Sequence, residues 1–151
     1  MNVDKLEVIV PTLDDKTQWQ DLYKGYADFY KVPMNADILD TLWRWIHDKD
    51  NPFYCIVAKD QDGTLLGFMH FRAMPSPLRG AMVGFLDDLF VSPKARGKGI
   101  VNALYKELEN QGKEKGWPLI RWITAENNYR ARAVYDQLSS KTHWLTYQLD
   151  L

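Results

Sequence analysis

In the stretch Leu86-Asp-Asp-Leu-Phe-Val-Ser-Pro-Lys-Ala-Arg-Gly-Lys-Gly-Ile100, an apolar run gives way to a polar loop holding two glycines. Val101, Leu104, Tyr105 and Leu108 then recur at helical spacing. The pattern reads as strand, loop and helix. Where a strand end feeds a helix start, several backbone N–H groups lack partners and the helix dipole favours an anion. Glycines there let a phosphate approach the backbone closely. From the glycines alone, a tight turn whose Lys94, Arg96 and Lys98 are simply solvated is an equal reading. The loop lacks the Gly-x-x-x-x-Gly-Lys-Ser/Thr of a P-loop, and it lacks the third glycine of a dinucleotide fingerprint.

Upstream, Met82 to Val91 is expected to be the third strand of an antiparallel set. Phe53 to Ala58 and Leu65 to Phe71 form a hairpin around Asp60-Gln-Asp-Gly63, and Pro75-Ser-Pro77 forms the next loop. Earlier still, Leu6 to Val10 reads as a short strand ended by Pro11. Asp15-Lys-Thr-Gln18 has capping-box spacing ahead of a helix bearing Trp19, Leu22, Tyr23, Tyr26 and Tyr30. Lys31-Val-Pro33 breaks that helix, and Leu39, Leu42, Trp43 and Ile46 mark a second one that ends near Asp48 to Pro52. Downstream, Leu119 to Thr124 is expected as a strand, Asn128 to Leu138 as a helix and Trp144 to Leu149 as a closing strand.

With 151 residues, 46% hydrophobic and 26% charged, the chain fits a single domain over 1–151 and excludes disordered, collagen-like and solenoid classes. No apolar run approaches the roughly 18 residues of a spanning helix. The start Met1-Asn-Val-Asp-Lys-Leu-Glu lacks the pattern of a secretory leader, so a cytoplasmic protein with no membrane partner is expected. A formal charge of -1 gives no global field toward nucleic acid, and none is expected as a partner. Local use of Lys94, Arg96 and Lys98 on DNA is the rival that this balance disfavours. Cys55 is the single cysteine and reads as a small buried strand residue. His47, His70 and His143 show no metal-ligand spacing, so no metal is expected and each reads as solvated or satisfied in the core. Six Trp, eight Tyr and six Phe are more than one small core hides, so some should line a pocket or an interface.

The Leu86 to Ile100 stretch resembles the acetyl-CoA-binding motif of the GCN5-related N-acetyltransferase (GNAT) family. The family pattern Gln/Arg-x-x-Gly-x-Gly/Ala is met at Arg96 and Gly99 and departs at Val101, where a small residue is expected. Asn128-Tyr-Arg-Ala-Arg-Ala-Val-Tyr135 is similar to a second family signature, Asn-x-x-Ala-x-x-x-Tyr. After Tyr135 many members continue Gly-Phe, whereas this chain reads Asp136-Gln-Leu. The likeness is nearest to the yeast-type histone and polyamine acetyltransferases and to diamine acetyltransferases. It implies an α/β GNAT fold, a mixed and mostly antiparallel sheet of about six to seven strands flanked by helices. It also implies acetyl-CoA as co-substrate, direct acetyl transfer to a primary amine (polyamine, amino acid or protein lysine) and a homodimer.

Such a transfer needs few parts. An alkylammonium with a pKa of about 10.4 is neutral in roughly one molecule in a few thousand at pH 7, so a base or water chain must take its proton. The candidates are Asp87 and Asp88, which strand alternation puts on opposite faces. By the resemblance, Asp87 relays the proton through a water, while Asp88 holds a cationic substrate or caps a loop. A pair of strand-edge charges satisfied by neighbours is the plain alternative. The resemblance further implies that cofactor is held by the Leu89-Phe90-Val91 backbone, by Arg96, Gly97, Lys98, Gly99, Ile100 and Val101, and by Asn128 and Arg130. A backbone N–H of Leu89 or Phe90 would stabilise the developing oxyanion, and Tyr135 would serve the departing thiolate. By spacing alone the stripe Trp19, Tyr23, Tyr26 and Tyr30 reads more readily as core than as a substrate cage; the resemblance puts it in the region that forms the acceptor wall, with Tyr26 and Tyr30 as the substrate-binding candidates. A module that senses acetyl-CoA without catalysis is the rival from another class.

Overall fold

In the computed structural model the described residues are 5–151; Met1 to Asp4, part of the stretch read as lacking a leader, lie outside them. Five strands form one sheet in the order β1-β2-β3-β4-β5: β1 (Glu7–Ile9), β2 (Phe53–Lys59), β3 (Leu65–Ser76), β4 (Ala81–Val91) and β5 (Ile120–Trp122). The first four pair antiparallel in succession, and β5 joins β4 in parallel. Asp60 shapes the β2–β3 turn, its Oδ1 accepting from the N–H groups of Asp62 and Thr64 at 2.9 Å each, while Gly63 takes φ 81°.

Helices α1 (Lys16–Tyr30) and α2 (Ala36–Ile46) cover one sheet face. There Trp19, Leu39, Trp43, Val57, Phe68 and Phe90 form a core. Helix α3 (Ile100–Glu114) covers the other face, where Ile56, Met69, Phe71, Leu86, Leu104 and Leu108 pack together. The aromatic stripe of α1 is therefore core at Trp19 and a half-buried wall at Tyr23 and Tyr26. Helix α1 stops where Lys31 adopts the left-handed conformation, φ 56°. Cys55 is buried among these side chains, as expected, and burial pushes its thiol up.

Several expectations are corrected. The capping interaction sits three residues earlier than Asp15-Lys-Thr-Gln18, over Thr12 to Asp15: Asp15 Oδ2 accepts from the Thr12 N–H at 2.9 Å, and Asp15 also pairs with Lys59. Strand β3 runs through Pro75 to Ser76 instead of ending before a Pro75-Ser-Pro77 loop; Pro75 opposes Met82 at the far end of the β3–β4 ribbon, beyond the reach of β2. The sheet has five strands among the described residues, fewer than the six to seven expected. The missing closing strand is the cause: after helix α4 (Tyr129–Leu138) residues 144–149 pair with no strand among the described residues, leaving Trp144 73% and Tyr147 88% exposed. An alternating sequence forms a strand only where an edge receives it.

Candidate active site

Strand β4 changes register inside the decisive stretch. His70 opposes Asp88 and Phe71 opposes Leu86, so Asp87 has no opposite number and forms a β-bulge. The extra residue flips the alternation: Leu86 faces the α3 core, whereas Asp88 and Phe90 face α1. The expectation that Asp87 and Asp88 point to opposite faces is thereby overturned. Asp87 Oδ1 meets Arg72 Nη2 at 3.2 Å, and Arg72 lies two residues along β3 from His70, on the same side of the sheet.

The two carboxylates have opposed electrostatics. Burial raises the Asp87 carboxyl above its ordinary value, aided by the Asp88 charge and opposed by Arg72, whose guanidinium also lies 4.9 Å over the Phe85 ring. Burial would raise Asp88 as well, yet hydrogen bonds from His70, Tyr26 and Tyr23 outweigh it and hold Asp88 below the usual carboxylate range. Asp88 Oδ2 accepts from the Tyr23 hydroxyl at 3.0 Å and lies 2.9 Å from His70 Nδ1. In return, burial and the Asp88 charge push the Tyr23 and Tyr26 hydroxyls up, so both stay protonated. Tyr26 packs on Tyr30 at 4.8 Å between ring centroids, which continues the wall toward the end of α1.

On the other side, β5 pairs with β4 only from Gly84 to Leu86, ending at Trp122. Leu89 to Val91 therefore have no neighbour strand beyond β3. The Ser92 N–H donates to Leu66 O at 2.8 Å; counting back by two, Phe90 and Asp88 face β3, and the N–H groups of Leu89 and Val91 turn to the open side. The chain then makes a short 3-10 turn (Pro93–Ala95) and enters α3 through Gly97 and Gly99, with φ 77° and 80°. The first bond into α3 runs from the Ala103 N–H to Gly99 O at 3.1 Å, which leaves the N–H groups of Ile100 and Val101 without helical partners. A Cβ at Gly97 or Gly99 would meet nothing within 4 Å, so the loop surrounds open space. The Arg96 guanidinium leans back over Phe29 and Phe90, 5.9 and 6.0 Å from their ring centres, beside a cavity of about 610 Å³ that also touches Leu22 and Gly25.

Helix α4 brings the remaining candidates. Asn128 caps it, its Oδ1 accepting from the Ala131 N–H at 3.3 Å, and Arg130 is exposed. The half-buried Tyr135 ring packs 5.5 Å from Trp122 and 6.4 Å from Tyr105. Burial raises its hydroxyl, with Tyr30 contributing. The structure thus joins Asp87 and Asp88 at the bulge of β4 with the tyrosine wall of α1, and sets Tyr135 against Trp122 at the end of β5. Sequence reading missed His70 as part of this site and placed Trp19 and Tyr23 only in the aromatic stripe, without a role of their own. Among the described residues, no group of three or more His, Cys, Asp and Glu side chains gathers where a metal would bind.

A model of the acetyltransferase (GNAT) family matches residues 19–139. The chain is 27% identical to the D-amino-acid N-acetyltransferase HPA3 of Saccharomyces cerevisiae over 96% of its own length and 91% of that protein. It is 24% identical to a thialysine N-epsilon-acetyltransferase of Caenorhabditis elegans, covering 95% of this chain and 91% of that one. Among solved structures, a ribosomal-protein-alanine N-acetyltransferase from Brucella melitensis biovar Abortus superposes with a TM-score of 0.81 at 25% identity, over 97% of this chain and 99% of that one. AAC(6')-Iy, solved with a bisubstrate analogue built on CoA, gives a TM-score of 0.85 at 19% identity, covering 98% and 99% of the two chains.

Proposed function

The chain belongs to the acetyltransferase (GNAT) family and is an N-acetyltransferase, and we propose that it moves the acetyl group of acetyl-CoA directly to the nitrogen of a cationic primary amine. The observation that carries the reading is the pairing, at the bulge of β4, of one carboxyl held up and one held down beside the open β4–β5 edge. Two neighbouring carboxyls with opposed environments divide the work of base and fixed charge. Asp87, raised above its ordinary value by burial, takes the amine proton directly or through a water. Asp88, held ionised, receives the ammonium together with the Tyr26 and Tyr30 rings, a contact worth about 0.5–2 kcal/mol.

Acetyl-CoA supplies the thioester carbonyl that the nitrogen attacks. The residues present fit it: the N–H groups of Gly97 to Val101 around an open loop suit a pyrophosphate, with Lys98, Arg96 and Arg130 nearby for its charge. The Leu89 N–H, turned to the open edge, donates to the developing oxyanion, which favours Leu89 over Phe90 for that role. Tyr135 keeps its proton and offers it to the departing sulfur. Asn128 has its Oδ1 engaged as a helix cap, leaving its amide N–H₂ for the pantetheine arm.

Polyamines, amino acids and protein lysines all remain in this class, and the nearest branch by residue pattern is the yeast-type histone, polyamine and diamine group. The names of the relatives, D-amino-acid and thialysine acetyltransferases, favour an amino-acid-like amine. We read residues 1–151 as one cytoplasmic domain without nucleic-acid partners. It works as a homodimer, because residues 144–149 carry a strand pattern with no strand partner among the described residues, while the outer edge of β5 adjoins a groove of about 790 Å³ lined by Trp117, Ile120 and Trp122 together with Lys106, Glu109 and Lys113. The same segment of a second copy fits that edge, and light scattering should give twice the chain mass. Thiol release from acetyl-CoA over a panel of spermidine, lysine, D-amino acids, lysine peptides and neutral amines tests the activity. Turnover of cationic amines is expected; cofactor binding with no turnover on any amine would select a sensor instead.

A further inference from the structure

Beneath Asp88 lies a hydrogen-bonded chain that the transfer itself does not call for. Trp19 Nε1 meets His70 Nε2 at 2.9 Å, and both residues are fully buried. An indole N–H only donates, so His70 Nε2 must present its lone pair and the ring proton must sit on Nδ1. That proton points at Asp88 Oδ2, 2.9 Å away. The chain spans α1, β3 and β4, and Asp88 is its outlet to the surface, with a side chain 16% exposed against 0% for His70. A buried imidazole needs both nitrogens partnered; what sets this one apart is that Trp19 from α1 dictates the tautomer and so commits the other ring proton to the partly exposed Asp88.

We propose that His70 is a positioning residue for the acceptor amine: locked by Trp19 as the Nδ1–H tautomer, it fixes the Asp88 carboxylate in the orientation and ionised state that receive the substrate ammonium. The inference rests on the acetyl-transfer reading for its ammonium and goes beyond it in assigning His70 and Trp19. The groups facing Asp88 are known from every side. Tyr23 and Tyr26 approach from α1, the buried Cys55 thiol from β2, His70 from β3, and Asp87 from β4 itself with Arg72 behind it. Of these, the His70 N–H and the Tyr23 hydroxyl hydrogen-bond to the carboxylate, and Tyr26 adds a favourable electrostatic contribution.

The test compares His70→Phe, which keeps a ring and removes both nitrogens, with His70→Asn, whose amide N–H can still reach Asp88, and with Trp19→Phe. The first readout needs no substrate: the carboxyl ¹³C titration of Asp88, assigned through Asp88→Asn. His70→Phe should raise the midpoint by about one pH unit or more, the equivalent of one charge-assisted hydrogen bond, and His70→Asn should stay near wild type. The second is kinetic: near neutrality, where Asp88 stays ionised in either variant, His70→Phe should raise KM for a cationic amine by about tenfold or more through the lost orientation of the carboxylate, with KM for acetyl-CoA unchanged and His70→Asn near wild type. Trp19→Phe should fall between. An unmoved Asp88 midpoint, or equal losses in the Phe and Asn variants, would overturn the positioning role and leave His70 as packing. A moved midpoint with no change in amine KM would overturn the ammonium contact. Absence of acetyl transfer by the wild-type protein would instead refute the functional reading, while the titration still decides the His70–Asp88 link.

Discussion

On the α1 side of β4, Asp88 is gripped by His70 and Tyr23, and the tyrosines around it stack on one another before any substrate arrives. On the side facing α3 and α4, the backbone N–H groups of Ile100 and Val101 lack helical partners, β5 has already left, and α4 buries none of its residues fully. One half is finished and the other is waiting. The proposed acceptor presents a compact ammonium to the site, which a fixed carboxylate reads best when preorganised. The cofactor is long and polyanionic, and it completes the open half by supplying the missing hydrogen-bond acceptors itself.

The largest test of this division falls on the base. Asp87→Asn should lower kcat/KM for the amine by about 10²–10⁴-fold near neutrality, the deficit shrinking as pH approaches the amine pKa and neutral amine arrives from solution. A flat pH profile of the loss would move the proton route to another group, with Asp88 the next to examine. Tyr135→Phe probes the open half and should cost less, about 10²-fold, confined to kcat, with no rescue at high pH and little change in acetyl-CoA affinity. A fully active Tyr135→Phe, with a wild-type melt, would reduce that ring to packing against Trp122 and Tyr105.

If the cofactor half is built to be completed, acetyl-CoA should raise the melting temperature, and at about 100 times Kd it should add about 2.7 kcal/mol of stability. Gly99→Asp should erase that gain, because a carboxylate enters the anion cradle and the left-handed φ of 80° strains any side chain. The finished half should respond differently: His70→Phe should leave the cofactor-induced shift intact.

Much of the division was legible before any coordinates. Helical spacing alone marked the α1 stripe, and the Arg96 to Val101 loop falls where the helix start was placed. The bulge was not legible, because an extra residue in one strand leaves no mark on the strand's own pattern and only its partner's register reveals it. Alternation then misassigned Asp87. His70 was missed because its partners are remote, Trp19 51 positions upstream and Asp88 18 downstream. The closing strand fails for the converse reason: residues 144–149 hold the alternation a strand needs, but no sheet edge among the described residues meets them.

The smallest expected effect concerns the anchor that sets α1 against the sheet. Asp15, at the start of α1, is buried; burial alone would raise its carboxyl, but Lys59 and the Thr12 N–H and hydroxyl outweigh that and hold it below its ordinary value of 3.8. Since the folded value lies below the unfolded one, the stabilisation is fully present above about pH 4 and is lost as pH falls through the folded value. Asp15→Asn should therefore cost about 0.5–2 kcal/mol at pH 7, read by urea denaturation, and the gap to wild type should narrow at pH 3 and below. An equal gap at both pH values would assign the loss to packing instead of charge. The same variant separates anchor from chemistry, because a small tilt of α1 carries Trp19, Tyr23 and Tyr26 with it. A rise in amine KM that tracks the loss of stability would mean the acceptor half depends on its anchor, whereas an unchanged KM would mean the Trp19–His70–Asp88 chain holds α1 in place by itself.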